Sequence, residues 1–125
     1  MDRFYEALRI RVHVEEMGGH LCVTIAGGDQ PHIGCVAIAE PRPSLIDDGS
    51  TSSTVSTYNF PGHKDDEVAN RVAHALAAHL ERRTVVLCGL HYTNVSQDLF
   101  LQVQALTEQI IEELCGKLDT RYDHG

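Results

Sequence analysis

The first part of the chain, residues 4–16, alternates polar and apolar positions. Its apolar positions include Leu8, Ile10, Val12 and Val14. A period of two predicts a strand with one buried face. The paired glycines of "MGGH" supply the positive φ angles of a tight turn, so a hairpin to a second strand at residues 21–27 is predicted.

After a turn at "GDQP", residues 32–40 are apolar on both faces, which predicts a third strand inside the sheet. Two prolines, a glycine and several small polar residues then predict a loop over residues 41–53. Residues 54–60, "TVSTYNF", are rich in β-branched and aromatic side chains and predict a fourth strand.

Two later segments have apolar residues at helical spacing. A predicted buried strand at residues 84–92 separates these two segments. The first runs from Asp65 to about Arg82. Its apolar stripe is Val68, Ala69, Val72, Ala73, Leu76, Ala77 and Leu80. The second is predicted from about Gln97 to Leu118, with Asn94 or Ser96 as the N-cap.

This order of four strands, a helix, a strand and a helix predicts an α+β fold. We expect a mostly antiparallel sheet of five or six strands with two long amphipathic helices packed on it. Residues 1–118 should form a single domain, and residues 119–125 a flexible C-terminal tail.

Composition excludes several classes of protein. The chain has 125 residues and a formal net charge of −8, and its arginines are scattered, so nucleic-acid binding is not expected. No apolar run reaches the roughly 18 residues of a membrane span, and the first residues lack a signal-peptide core, so we expect a cytoplasmic protein. The four cysteines form no CxxC pair and are expected to be buried reduced thiols.

The motif "PGHKDD" crowds glycine, histidine, lysine and two aspartates into a predicted helix start. Unpaired N–H groups there can bind an anion, with Gly62 allowing close approach, Lys64 supplying charge and His63 donating a hydrogen bond. Asp65 and Asp66 compete for the same amides. An ordinary acidic helix start with an exposed histidine and lysine is the alternative interpretation.

Two further histidines stand beside glycine at predicted strand ends: His32, near Gly34 in "PHIG", and His91 in "CGLHY". Loops at such ends can present side chains from a rigid frame, so His91 is a candidate second half of the same pocket. Its alternative is an incidental residue before a helix cap. No metal is expected, because the spacing lacks any HxH or HExxH pair. A small enzyme that uses histidine and aspartate in acid–base or metal-binding roles is the remaining alternative.

Four segments together resemble a known family. They are "GGDQPHIGCVAIAE", a Ser/Thr-rich strand, "GHKDDEVA" and "VVLCGLHYTNVS", covering roughly residues 20–98 in order. They look like the LpdD-like family, small accessory proteins of gallate-type UbiD-like decarboxylases that are regarded as prenylated-flavin chaperones. The segment "GLHYTN" departs from a "GIHxDN"-like pattern at Tyr92 and Thr93.

The resemblance implies a fold similar to proteasome assembly chaperones and a homodimer. It implies a non-enzymatic accessory protein that binds or hands over prenylated FMN, or helps a UbiD-like decarboxylase large subunit mature. The cofactor-binding residues would be His32, Gly34, Gly62, His63, Lys64, Asp65, Asp66 and His91. An apolar wall would come from the region of Ile33, Val36 and Leu90. The alternative is an assembly-chaperone-like interaction module without a small ligand.

Overall fold

A computed structural model describes residues 1–30, 32–46, 48–60 and 66–119. The elements are β1 (Asp2–Tyr5), a 3-10 turn (Glu6–Leu8), β2 (Ile10–Met17), β3 (His20–Gly28), β4 (Cys35–Pro43), β5 (Thr51–Asn59), α1 (Asp66–Leu80), β6 (Thr84–His91) and α2 (Gln97–Leu118). The predicted α+β class, with its two long helices, is confirmed.

The strands form a six-stranded sheet in the order β1-β2-β3-β6-β4-β5. Strand β6 enters between β3 and β4, parallel to β3 and antiparallel to β4. The other pairings are antiparallel. The strand that is last in sequence therefore lies near the centre of the sheet, which agrees with its run of apolar residues.

Both helices cover the same face of the sheet. Helix α1 packs on β4, β5 and β6, and α2 lies beside α1. The helices run parallel, because Arg71 Nη2 donates to Glu108 Oε1 at 2.8 Å near their middles and Arg82 Nη2 donates to the Leu118 carbonyl at 3.2 Å near their ends. The largest fully buried side chains include Ile10, Leu21, Ile25, Leu76, Ile110 and Leu114.

The prediction of one strand over residues 4–16 is wrong, because the 3-10 turn divides it into β1 and β2. Arg9 ends that turn with φ of 53°, and its N–H donates to the Glu6 carbonyl at 3.2 Å. Leu8 and Ile10 are both buried. The apolar alternation therefore continues through a turn that the pattern alone does not reveal.

The predicted loop over residues 41–53 is also shorter than expected. Strand β4 continues to Pro43, paired with Thr51 at the start of β5. The ladder between β4 and β6 stops earlier, at Ala39 and Thr84. Pro41 and Pro43 thus lie beyond Thr84, the first residue of β6, where a missing N–H breaks no ladder bond to that strand.

The first strand is held by backbone and side-chain contacts to β2. The terminal amine of Met1 donates to the Val14 carbonyl at 3.0 Å. The ring of His13 lies between two carboxylates, with Nδ1 at 2.6 Å from Asp2 Oδ1 and Nε2 at 3.1 Å from Glu15 Oε2. The hydrogen bond with Asp2, and then that with Glu15, raises the pKa of His13 above its ordinary value.

We expect His13 to titrate above the ordinary histidine value of about 6.5. A raised folded-state pKa stabilises the folded protein below the unfolded value, and this contribution is lost as pH rises through the folded pKa. An NMR titration of the imidazole resonances measures the midpoint. Asp2→Asn should move it back toward the ordinary value. A wild-type midpoint at or below about 6.5 would contradict the two-carboxylate arrangement.

Candidate functional site

The predicted site residues that the structure describes gather at one end of the sheet, which we call the site end. Strands β3 and β6 finish there side by side, with Gly28 opposite His91. Strand β4 begins there, with Cys35 opposite both Cys88 of β6 and Asn59 of β5. Four strand ends thus meet in one region.

The structure brings His32 and His91 together at the site end. Their ring centroids are 6.3 Å apart and their planes meet at 76°, an edge-to-face arrangement. The His32 Nδ1 lies 3.0 Å from the Gln30 carbonyl. Gly34, beside them, donates its N–H to the Cys88 carbonyl at 2.9 Å and accepts from the Phe60 N–H at 2.9 Å.

Two glycines allow the backbone to close around this pair. A Cβ on Gly89 would lie 1.5 Å from the His32 carbonyl oxygen, and a Cβ on Gly28 would lie 2.0 Å from the His91 carbonyl oxygen. Gly28 also has φ of +84°. Because Cys88 faces the helices, its neighbour Gly89 faces the other way. The segment with His32 therefore crosses the face turned away from the helices, which we call the open face.

Asp29 ties the loops of the site end to one another. Its carboxylate accepts from the Thr93 hydroxyl at 2.6 Å, from the Thr93 N–H at 2.7 Å and from the Arg9 guanidinium. Its own N–H donates to the His91 carbonyl at 2.6 Å. The Thr93 hydroxyl, then the Thr93 N–H and Arg9, hold the pKa of Asp29 well below its ordinary range. The carboxylate is thus ionised and its charge is compensated by Arg9.

Sequence reasoning singled out neither Asp29 nor Arg9. The "GGD" after a predicted strand marks only a turn. The partners of Asp29 lie 20 residues before it and 64 residues after it. No local spacing could have connected them.

Of the "PGHKDD" residues, Asp66 is described and begins α1. The predicted site residues Gly62, His63, Lys64 and Asp65 lie outside the described residues. The start of α1 is at the site end, because the helix runs antiparallel to β5. His74 Nδ1 lies 2.6 Å from Ser53 Oγ, and Asn70 contacts Thr57, nearer the end of β5. Asp66 therefore belongs to the helix layer, and the His32 carbonyl to the open face.

An aromatic pair lies at the same end of the sheet as the histidines, on the neighbouring strand β5 beyond β4. Tyr58 and Phe60 pack edge to face with ring centroids 5.0 Å apart, and 61% and 40% of their surface is exposed. Tyr58 is the register partner of Val36 on the open face. The expected wall of Ile33, Val36 and Leu90 does not form as one surface, because Leu90 packs against the helix-side core. Tyr58 and Phe60 supply apolar surface that the sequence analysis did not assign.

Other described regions offer fewer side chains that could bind a ligand. Within the described ranges, no group of three or more His, Cys, Asp or Glu side chains is arranged to hold a metal ion. An open cleft of about 420 Å³ lies at the opposite end of the sheet. It is lined by Gly49, Ser50, Thr51, Ala75, Ala78, His79 and Glu81. Glu81 already accepts from the Thr51 hydroxyl at 2.7 Å, so we favour the site end. Neither described helix is apolar enough over a sufficient length to cross a bilayer.

Gly89→Ala should disrupt the site end, because the new methyl would overlap the His32 backbone. We expect a loss of stability of about 1–3 kcal/mol, as for other overpacked sites, and displaced His32 and His91 resonances. Urea unfolding and NMR spectra measure the two effects. Gly116→Ala is the control, since nothing lies within 4 Å of its added Cβ and α2 should gain about 1 kcal/mol. Equal effects of Gly89→Ala and Gly116→Ala would argue against the close passage of the His32 backbone over Gly89.

Comparisons with known proteins show which family the chain belongs to. Protein LpdD of Lactiplantibacillus plantarum is 23% identical over 111 residues, covering 84% of this chain and 74% of that protein. A structure titled a novel chaperone complex for yeast 20S proteasome assembly has the same fold, with a TM-score of 0.62 at 12% identity over 94% of this chain and 95% of that one. The family model described as prenylated flavin chaperone LpdD-like domain matches residues 5–119. The chain belongs to the LpdD-like chaperone family.

Proposed function

We propose that this member of a chaperone family binds prenylated FMN at the site end and hands it to a UbiD-like decarboxylase. The observation that carries the proposal is the His32–His91 pair, held across Gly89 at the same end of the sheet as the exposed Tyr58–Phe60 pair. Imidazole donors beside exposed aromatic rings suit a planar heteroaromatic ligand with polar edges.

The chain's residues have distinct parts in this proposal. His32 and His91 would hydrogen-bond the flavin ring system, and Tyr58 and Phe60 would pack against it. The phosphate would bind at the start of α1, where the first backbone N–H groups are unpaired. The sequence places Lys64 there. Prenylated FMN, when bound, would be carried and not chemically used, so no residue is given a catalytic role.

In a chain with a net charge of −8, one carboxylate at the site end leaves an anionic ligand unopposed, whereas a second carboxylate opposes it. Asp29, an acidic group close to His91, is held by Arg9 and Thr93, so its charge is compensated. Asp66 opens α1 and competes for the helix-start amides, which weakens a phosphate site at that position.

The exposure of the proposed binding residues favours transfer of the ligand to another protein over its storage. His91, Tyr58 and Phe60 are exposed, and His32 is partly exposed. A ligand bound to such a surface keeps part of its own surface accessible to a second protein. We propose that the second protein is the large subunit of the decarboxylase. We also propose that the chaperone itself is a homodimer.

A second candidate function is protein–protein assembly without a small ligand. It is favoured by apolar side chains on the open face, including Ile38 with 43% of its surface exposed. Under this function the site-end histidines would have only a structural part, and flavins would not bind.

Titration of the purified protein with FMN and prenylated FMN, followed by flavin absorbance and fluorescence, tests the proposal. We expect saturable binding of the prenylated form. His32→Ala and His91→Ala should each weaken it by about two- to tenfold, since a neutral hydrogen bond contributes roughly 0.5–1.5 kcal/mol. Lys64→Ala should weaken it about tenfold or more, since a hydrogen bond to a charged group contributes roughly 1.5–3 kcal/mol. His20→Ala is the matched control, because His20 is the exposed first residue of β3 and the site end lies at the other end of that strand.

Two results of this titration would count against the proposal. Absence of binding would favour the assembly function. Tight binding that His32→Ala and His91→Ala leave unchanged would place the ligand elsewhere.

A decarboxylase maturation assay tests the transfer step. A UbiD-like decarboxylase is produced together with the wild-type chain or with His91→Ala, and its prenylated-FMN content and activity are compared at equal protein level. We expect both to fall with His91→Ala and to be unchanged with His20→Ala. Equal cofactor content with all three chains would show that the site end is not needed for maturation.

A further inference from the structure

The position of His91 depends on contacts outside β6, because His91 is the last residue of that strand. Residues 92–96, all of which the structure describes, belong to no strand or helix, and residues 93–96 are exposed. Helix α2 begins at Gln97. An exposed segment of this kind has few buried apolar contacts to hold it, so single polar contacts decide where it lies.

The carboxylate of Asp29 supplies such contacts. Its Oδ2 accepts from the Thr93 hydroxyl at 2.6 Å and from the Thr93 N–H at 2.7 Å, and its Oδ1 accepts from the Arg9 guanidinium. We call Arg9, Asp29 and Thr93 the carboxylate bridge. The N–H of Asp29 donates to the His91 carbonyl at 2.6 Å. Asp29 therefore holds the chain at His91 and again two residues later.

The Arg9 side of the carboxylate bridge has a fixed backbone. Arg9 ends the 3-10 turn with φ of 53°, a conformation that few residues other than glycine adopt. Its carbonyl oxygen packs closely on Gly27, where an added Cβ would lie 2.7 Å from that oxygen. The guanidinium thus extends from a fixed point, and the bridge ties the exposed segment after His91 to that point.

A carboxylate suits the centre of this bridge, because both of its oxygens accept hydrogen bonds and neither donates. The Thr93 hydroxyl, then the Thr93 N–H and Arg9, lower the pKa of Asp29, so the carboxylate is ionised. An asparagine has a similar shape but only one oxygen. Its NH₂ group would face the donors of either Arg9 or Thr93, so one side of the bridge would be lost.

We propose that Asp29 is the positioning residue of the ligand site, and that the carboxylate bridge sets the place of His91 relative to His32. The effect on ligand affinity rests on the proposed function, whereas the place of His91 is a property of the chain without ligand. Asp29 acts through His91 and does not touch the ligand. Its loss can therefore cost no more affinity than the loss of the His91 side chain.

Titration of the full chain with prenylated FMN tests this limit with Asp29→Asn, His91→Ala and the double variant. We expect Asp29→Asn to weaken binding by about two- to tenfold, because a displaced His91 loses a neutral hydrogen bond to the ligand. The double variant should bind as His91→Ala does, since two changes that act through one side chain are not additive. Additive losses would overturn the proposal.

Two variants of Thr93 separate the geometry of the bridge from the charge of Asp29. Thr93→Val keeps the shape and the N–H but lacks the hydroxyl, so it should weaken binding in the same direction as Asp29→Asn. Thr93→Ser keeps both donors and should bind as wild type does. Equal binding by Thr93→Val and wild type would contradict the role of the bridge.

Asp48→Asn is the matched control for stability. Asp48 Oδ1 also accepts from the N–H, at 2.9 Å, and the hydroxyl of one residue, Ser50, but it lies between β4 and β5 at the opposite end of the sheet. Both asparagine variants should lower the urea midpoint of unfolding to a similar extent. Only Asp29→Asn should displace the imidazole NMR resonances of His32 and His91. Unmoved resonances in Asp29→Asn, or equal displacement in both variants, would overturn the proposal.

The same titrations separate this inference from the proposed function. A wild-type chain that binds no flavin removes the ligand site, and with it any effect of Asp29 on affinity. A wild-type chain that binds prenylated FMN, together with an Asp29→Asn chain that binds it equally tightly, overturns the positioning role alone.

Discussion

The insertion of β6 between β3 and β4 is the constraint on which the site end depends. Because β6 occupies the gap, the chain leaving β3 must pass over the end of β6 before it can begin β4. That passage brings the His32 backbone against Gly89, where no side chain fits. It also places His32 beside His91, the last residue of β6. The histidine pair is thus a product of topology as much as of side-chain contacts.

The periodicity of the chain predicted most of the elements, for reasons that are local. Helix α2 follows the predicted bounds of Gln97–Leu118, and Ser96 caps it by accepting from the Leu99 N–H at 3.1 Å. The β4–β5 hairpin was harder, because Pro41 and Pro43 indicate a loop unless the end of β6 is known. The residue pattern of a segment indicates whether it forms a strand. Whether that strand tolerates a proline depends on where the neighbouring strand pairs with it.

The candidate site was predictable only in part. Glycine beside histidine at predicted strand ends was enough to single out His32 and His91. The contacts that hold them are not local: Asp29 and Thr93 are 64 residues apart, and Arg9 belongs to a turn that the alternation concealed. Tyr58 and Phe60 looked like ordinary strand residues, because only the sheet order shows that they border the site.

The position of β6 also has a consequence for the order of folding. Strands β3 and β4 are close in sequence, but they cannot pair as a hairpin, because the native sheet separates them by a strand that begins at Thr84. The contacts of Asp29 with Thr93 thus require closure of a long loop, which is entropically costly and slow. The site end is therefore expected to assemble late, after β6 has docked. A chain stalled before that step would have both paired halves of its sheet but no histidine pair.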